Sequence, residues 1–264
     1  MNITTVLGLV FGFGMLITGY LIEGGSIGAL FLLSPAIIVF GGTAGTILVS
    51  FNLEDIQRIP IMLKDCFTSR KSSEDEIIEF LVKLSEVARR EGLLSLEENI
   101  ENSNAKNMNP MIVDGIKLIV DGTDPELVKN MLETKIMVKE HVRKTDISIF
   151  EAAGGYSPTM GIIGTVMGLV FVLGNLSDPS ELSKSIAAAF IATLYGVAFA
   201  NVVYLPLGSK LKQQWKKELA EAEMIVEGVL SIQAGENPGV VRAKLTNFKH
   251  DHGKHKAAPE AKEE

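Results

Sequence analysis

Four stretches of the chain, at about 3–22, 28–50, 156–176 and 186–208, contain no Asp, Glu, Lys, Arg or His. Each is long and apolar enough to cross a bilayer as a helix, which takes about 20 residues. A water-soluble fold of this length would have to bury all four runs in one core, whereas lipid accepts them as they stand. Because a backbone in hydrocarbon must satisfy its own hydrogen bonds, the pattern predicts an all-α integral membrane protein with four transmembrane helices. The first run, MNITTVLGLVFGFGMLITGY, has no basic start and outlasts a signal-peptide core, so it reads as a retained span.

The basic residues orient these spans. No Lys or Arg occurs in 1–50 or between 145 and 183; of the 25, fourteen lie in 51–150, ten lie after 209, and Lys184 stands apart. An excess of Lys and Arg marks the cytoplasmic side. Both termini are therefore expected inside, with the linkers 23–27 and 177–185 outside. The resulting domain plan is 1–50 for spans 1 and 2, 51–150 for a cytoplasmic helical domain, and 151–209 for spans 3 and 4. An amphipathic cytoplasmic helix over 210–240 and a disordered tail over 241–264 complete it.

Within 51–150, Ser73 and Glu76 form a capping box ahead of apolar positions 77, 78, 81, 84 and 88 at helical spacing. A second helix is predicted from Asp124 as N-cap and Pro125 as first residue, where a missing N–H costs nothing. It runs uninterrupted to Phe150 and toward span 3, with Gly154 and Gly155 between. After span 4, Leu211, Trp215, Leu219, Ala222, Val226 and Val229 form one stripe, which Asn237-Pro238-Gly239 should stop. The two long helices are expected to pack as a stalk, with residues between 54 and 123 on its side. The tail, with His250, His252 and His255, is polar and aperiodic and reads as solvated rather than metal-binding. Cys66, the single cysteine, excludes an internal disulfide framework, and a net charge of −7 gives no reason to expect nucleic acid as a partner.

No motif of enzymatic chemistry is convincing. There is no phosphate-cradling GxxxxGK[ST], no HExxH and no CxxC. Gly24-Gly25-Ser26-Ile27-Gly28 fits the GxSxG pattern, but it falls in a short outer turn while all four histidines lie on the cytoplasmic side. The chain is read as a non-enzyme that needs no cofactor. An ion-coupled transporter usually carries acidic or basic side chains within the bilayer, and these spans carry no Asp, Glu, Lys, Arg or His. Either the protein moves no ions, or a partner brings the carboxylate. Gly164 and Gly168 make a GxxxG pair, Gly161 and Thr165 a second small-xxx-small pair, and Ala187, Ala188, Ala189, Ala192, Thr193, Gly196, Ala198 and Ala200 line span 4. Small faces allow close helix contact in lipid, where no hydrophobic force drives association. They fit packing of span 3 on span 4 and docking of a partner helix alike. Thr165 and Thr193 can bond their own backbones, and Pro158 and Pro206 can act as kinks.

The span order, together with ARREGLLSLE at 88–97, PTMGIIGTVMGL at 158–169 and AFIATLYGVAFANVVYLPL at 189–207, resembles the MotA family of bacterial flagellar-motor stator subunits over nearly the whole chain. The resemblance implies a multi-pass protein of the bacterial inner membrane that converts ion flow into torque. Family members form a homo-oligomer, five copies around two of MotB, whose single span bears an aspartate. Their cytoplasmic domains push the rotor protein FliG through charged contacts. It further implies roles for residues at matching positions: Arg89 and Glu97, or Arg90 and Glu98 one position on, as rotor contacts; Thr165 and Thr193 along the ion path; Pro158 and Pro206 in conformational change. Gly161, Gly164 and Gly168 then serve close helix packing. The transported ion is expected to be H⁺, with Na⁺ left open because hydroxyl oxygens suit a hard cation. An ExbB/TolQ-type subunit of the same superfamily is the rival, disfavoured by the N-terminal pair of spans. A non-conducting membrane scaffold is another, and it predicts that the small-residue faces touch only this chain.

Overall fold

The computed structural model describes residues 2–68, 74–101, 109–174 and 179–249, and every regular element among them is helical. The residues divide into two compact units, 1–70 with 138–216 and 71–137 with 217–264. The first holds all four membrane spans and is called here the membrane unit; the second is the extramembrane unit.

Span 1 is α1 (Ile3–Ile22), in which no residue is buried. Its beginning is tied to α5 (Ile59–Phe67): the Asn2 amide donates to the Phe67 carbonyl at 2.6 Å, and Thr5 Oγ1 donates to the Cys66 carbonyl at 3.3 Å. Gly24, with φ of +86°, turns the chain toward span 2 in the left-handed region that glycine enters without a Cβ penalty. Span 2 covers Ile27–Ser50 and is not uniform. A short 3₁₀ turn leads to α2 (Leu33–Ala36), a π-helical turn (Ile37–Gly41) and α3 (Gly42–Ser50). Residues Leu53–Ile56 form α4.

Span 3 is the last part of one unbroken helix, α9 (Pro125–Gly174), which passes through Gly154, Gly155 and Pro158. Asp124 caps its start, accepting the Glu126 amide at 2.9 Å through Oδ1. Span 4 lies within α10 (Pro179–Phe199), after its charged first turns, and in the π-helical turn that follows (Ala200–Tyr204), and the helix continues as α11 (Leu205–Gln233). The π turn has a cause in the sequence. Pro206 has no N–H for the carbonyl four residues back and its ring crowds that position, so the helix widens just before it.

A charged cluster fastens α5 to the adjoining part of α9. Buried Asp146 meets Arg58 at 2.9 Å and Arg143 at 3.5 Å, and Arg143 reaches Asp65 at 3.0 Å. Burial pushes the Asp146 carboxyl above its ordinary value against the pull of both guanidiniums. Burial likewise raises the Cys66 thiol to about 11.

The extramembrane unit has an aliphatic core. It is built by α6 (Glu74–Glu91), α7 (Ser95–Glu101), α8 (Pro110–Val120), the start of α9, the end of α11, and α12 (Pro238–Thr246). The sequence positions 77, 78, 81, 84 and 88 all turn inward on α6. Gly115 and Gly228 let neighbours close in: a Cβ would lie 2.8 Å from Val229 Cγ2 at the first and 2.7 Å from Leu81 Cδ1 at the second.

Three expectations are revised. Residues 51–70 and 138–150 group with the spans, so 51–150 is not one domain. Order does not end at 240: Gly235 (φ +68°) closes α11, Asn237 caps and Pro238 opens α12, and fully buried Val241 and Leu245 seat that helix in the core. Its rim is ionic: Arg242 pairs with Glu79, Lys249 with Asp75, and Lys244 with Glu236 at 2.7 Å and Glu227 at 3.0 Å. The stalk of two long helices is, within this unit, part of one core shared with α6, α7, α8 and α12. Ser73 of the capping box and the histidines at 250, 252 and 255 lie outside the described residues, as does the remainder of the tail.

Candidate functional site

Spans 3 and 4 approach each other along a seam of small residues. A Cβ on Gly161 would stand 2.8 Å from the Ala192 carbonyl oxygen and 3.1 Å from Thr193 Cα. On Gly164 it would meet Ala192 Cβ at 2.6 Å, and on Gly168 Ala189 Cβ at 2.7 Å. The tightest point comes from the other side. A Cβ on Gly196 would fall 2.5 Å from the Ser157 carbonyl oxygen, 3.1 Å from Gly161 Cα and 3.2 Å from Pro158 Cα. Backbone therefore meets backbone, which no residue larger than glycine permits here. The three glycines of span 3 thus face this chain's own fourth span, with Ile38 of span 2 also beside Gly164.

The close approach gathers oxygen atoms. Thr165 Oγ1 lies 3.1 Å from the Gly161 carbonyl and 2.9 Å from the Ala189 carbonyl, and it is in hydrogen-bond contact with Thr193 Oγ1. Thr193 Oγ1 is in turn 3.5 Å from the Gly161 carbonyl. Each hydroxyl has one proton to donate, so two protons serve four oxygens and the pattern has more than one arrangement. Both threonines are half-buried, between the closed seam and the outer faces of the spans. Next to them, Ile162, Ile163, Val166, Met167 and Val170 of span 3 are exposed. The cluster can pass a hydrogen bond along its members or offer neutral oxygens to a small cation. It supplies no charge of its own.

Pro158 and Pro206 do not come together. Pro158 sits half-buried against Gly196 in an unbroken helix, and Pro206 is exposed just after the π turn. Three contributors escaped the sequence reading. Ser157, fully buried, donates to the Gly196 carbonyl at 3.0 Å and locks the seam. Tyr195 accepts from the Leu32 amide at 3.2 Å and donates to the Leu30 carbonyl, holding the entry to span 2 against span 4. Phe13, Phe40 and Phe199 form an aromatic wedge beside the π turns, with Phe40 and Phe199 edge-to-face at 4.5 Å. Ser157 was discoverable from its spacing before Pro158; the partners of Tyr195 and the wedge, distant in sequence, were not.

The remaining candidates form a corner of the extramembrane unit. Arg89 and Arg90 occupy the last turn of α6 and Glu97 and Glu98 the first turn of α7, each charge on the favourable end of its helix. Gly92, with φ of +88°, makes the turn between them, and Ser95 Oγ closes it by donating to the Gly92 carbonyl at 2.7 Å. All four charged side chains are exposed.

Residues 103–224 match the MotA/TolQ/ExbB proton channel family, and residues 6–92 match the motility protein A N-terminal family. Motility protein A of Borreliella burgdorferi is 36% identical over 248 residues, 94% of each chain. Chemotaxis protein PomA of Vibrio alginolyticus is 33% identical over 94% of this chain and 95% of its own. Among solved structures, the C. jejuni MotAB structure superposes with a TM-score of 0.89 at 29% identity, over 96% of this chain and 98% of that one. The Bacillus subtilis flagellar MotAB stator complex gives 0.86 at 31% identity, over 94% and 96%. Fold and matches together define the class, a helical membrane protein of the MotA/TolQ/ExbB superfamily with four helices long and apolar enough to span a bilayer. Within that class the chain belongs to the motility protein A family of flagellar-motor stator subunits.

Proposed function

We propose that this chain forms the outer wall of an ion-conducting stator in the bacterial inner membrane, with both termini and the extramembrane unit on the cytoplasmic side. Five copies surround two MotB chains, whose single spans each bring the aspartate that these spans lack. Ion flow loads and unloads that aspartate beside Thr165 and Thr193, the wall shifts around MotB, and the corner at residues 89–98 pushes on FliG. H⁺ is the coupling ion.

The observation that carries this reading is the oxygen cluster of Thr165, Thr193, Gly161 and Ala189, set in the runs 156–176 and 186–208, which contain no Asp, Glu, Lys, Arg or His. Hydroxyls can stabilise a partner's carboxylate in either protonation state, donating to the charged form and accepting from the neutral one. They also leave its insertion cost with the partner.

Ion flux through vesicles holding this chain with MotB tests the reading. Thr193→Ala should lower the flux at least about tenfold, because a lost hydrogen bond to a charged group is worth about 1.5–3 kcal/mol, while Thr193→Ser should keep most of it. Flux from this chain alone would overturn the shared site. Strict dependence on sodium in a titration would replace H⁺ by Na⁺.

A further inference from the structure

The corner between α6 and α7 carries an apolar residue as well as charges. Leu94 is 76% exposed, the highest value for any large apolar side chain among the described residues of the extramembrane unit. Looseness of the turn does not explain it. The Gly92 amide donates to the Ala88 carbonyl at 3.0 Å, and the Leu96 amide to the Leu93 carbonyl at 3.1 Å. Leu96 is fully buried, Ile100 nearly so, and Leu93 packs against the same core. Anchors on both sides of Leu94 already hold the turn, and Leu94 is held outward.

Its surroundings are equally selective. On α6, Glu79 and Asp75 are engaged by Arg242 and Lys249. Arg89, Arg90, Glu97 and Glu98 make no ion pair among the described residues, although basic and acidic groups flank one short turn. A protruding leucine between unpaired charges of both signs is the anatomy of a contact centre. Apolar anchors carry binding energy, whereas exposed charges mainly set register and encounter rate.

We infer that Leu94 is the apolar anchor of the rotor-facing surface, seating in an apolar depression of the partner flanked by acidic groups opposite Arg89 and Arg90 and a basic group opposite Glu97 and Glu98. The inference rests on the rotor-contact reading above. It divides the labour: the charges guide each encounter, and Leu94 sets how long it lasts.

The test uses the full stator complex with MotB and purified FliG. Leu94→Ala should speed dissociation about tenfold, as expected for losing most of one buried leucine, and leave the salt dependence of association unchanged. Leu94→Met should stay within about twofold of the parent, since the swap conserves volume. In the purified complex, Leu94→Cys alkylated with a maleimide-linked benzophenone should photocrosslink to FliG, and Leu127→Cys, 52% exposed in the same unit, labelled in the same way, should not. Parental dissociation in both Leu94→Ala and Leu94→Asp, with binding lost in Arg89→Glu and Glu97→Lys, would overturn the anchor and keep the rotor reading. If those charge reversals also leave binding intact, the rotor reading fails and the anchor falls with it. A changed stator ring size in Leu94→Ala would assign the residue to contact between copies and overturn the inference as well.

Discussion

In the membrane unit the closest packing occurs where side chains are smallest, at Gly161, Gly164, Gly168 and Gly196. In the extramembrane unit the core consists of large aliphatic residues, among them Leu81, Leu84, Ile112, Ile116 and Ile225, all fully or almost fully buried. The solvent explains the contrast. Water drives large apolar groups together, so size is an advantage there. Lipid does not, and helices in it gain by approaching until backbones touch and carbonyls find hydroxyl partners. Polar groups differ by surroundings as well: hydroxyls bond carbonyls inside the seam, while ion pairs ring the aliphatic core of the extramembrane unit and tie α5 to α9 beyond the spans.

The contrast can be broken most severely at Gly196. Gly196→Leu would force a side chain into the Ser157 and Gly161 backbone, and motility and recovery of assembled stator should both be lost. A motile, assembled variant would mean that the seam opens more easily than its geometry indicates. The opposite change belongs in the other unit. Leu84→Ala removes bulk from a 2% exposed site and should destabilise that unit by about 2–5 kcal/mol, read as faster proteolysis of residues 74–137 in membranes. An unchanged rate would place Leu84 outside the cooperative core.

Smaller effects test the edges. Cys66 is fully buried with its thiol raised to about 11, so maleimide should label it at neutral pH only after unfolding; rapid labelling of the native protein would contradict its burial against α1 and the Leu207 carbonyl. Last comes acid. The hydrogen bond from Arg242 holds Glu79 below its ordinary 4.5, and the bond from Lys244 does the same for Glu236. A lowered folded-state value stabilises above the ordinary one, and that contribution is lost as pH falls through the lowered value. The α12 amides, corrected for intrinsic exchange, should therefore lose a small part of their protection below about pH 4 and none between about pH 5 and pH 7. Equal protection across both ranges would show that Val241 and Leu245 alone seat the helix.

Much of this architecture was readable from one chain because the signals were local. Charge-free runs marked the spans, Asp124-Pro125 marked the start of α9, and the stripe from Leu211 to Val229 marked the inner face of α11. The same locality misled at Asn237-Pro238-Gly239. A stop for one helix is also a cap and first turn for the next, and only the core contacts of Val241 and Leu245 distinguish the two.

For the site, residue types determined that no charge resides in the spans and that two hydroxyls and a set of glycines do. Those facts follow from composition, since a side chain's charge and size do not depend on the fold. Which surface the glycines face was decided by tertiary structure alone. A stripe of small residues can admit any helix, and the contacts with Ala189, Ala192 and Gly196 assign it to this chain's fourth span. The meeting of Thr165 with Thr193, and the holding of Leu94 outward between buried neighbours, were decided in the same way. Both depend on where backbones distant in sequence come to rest, a result of packing the whole chain that no local pattern contains.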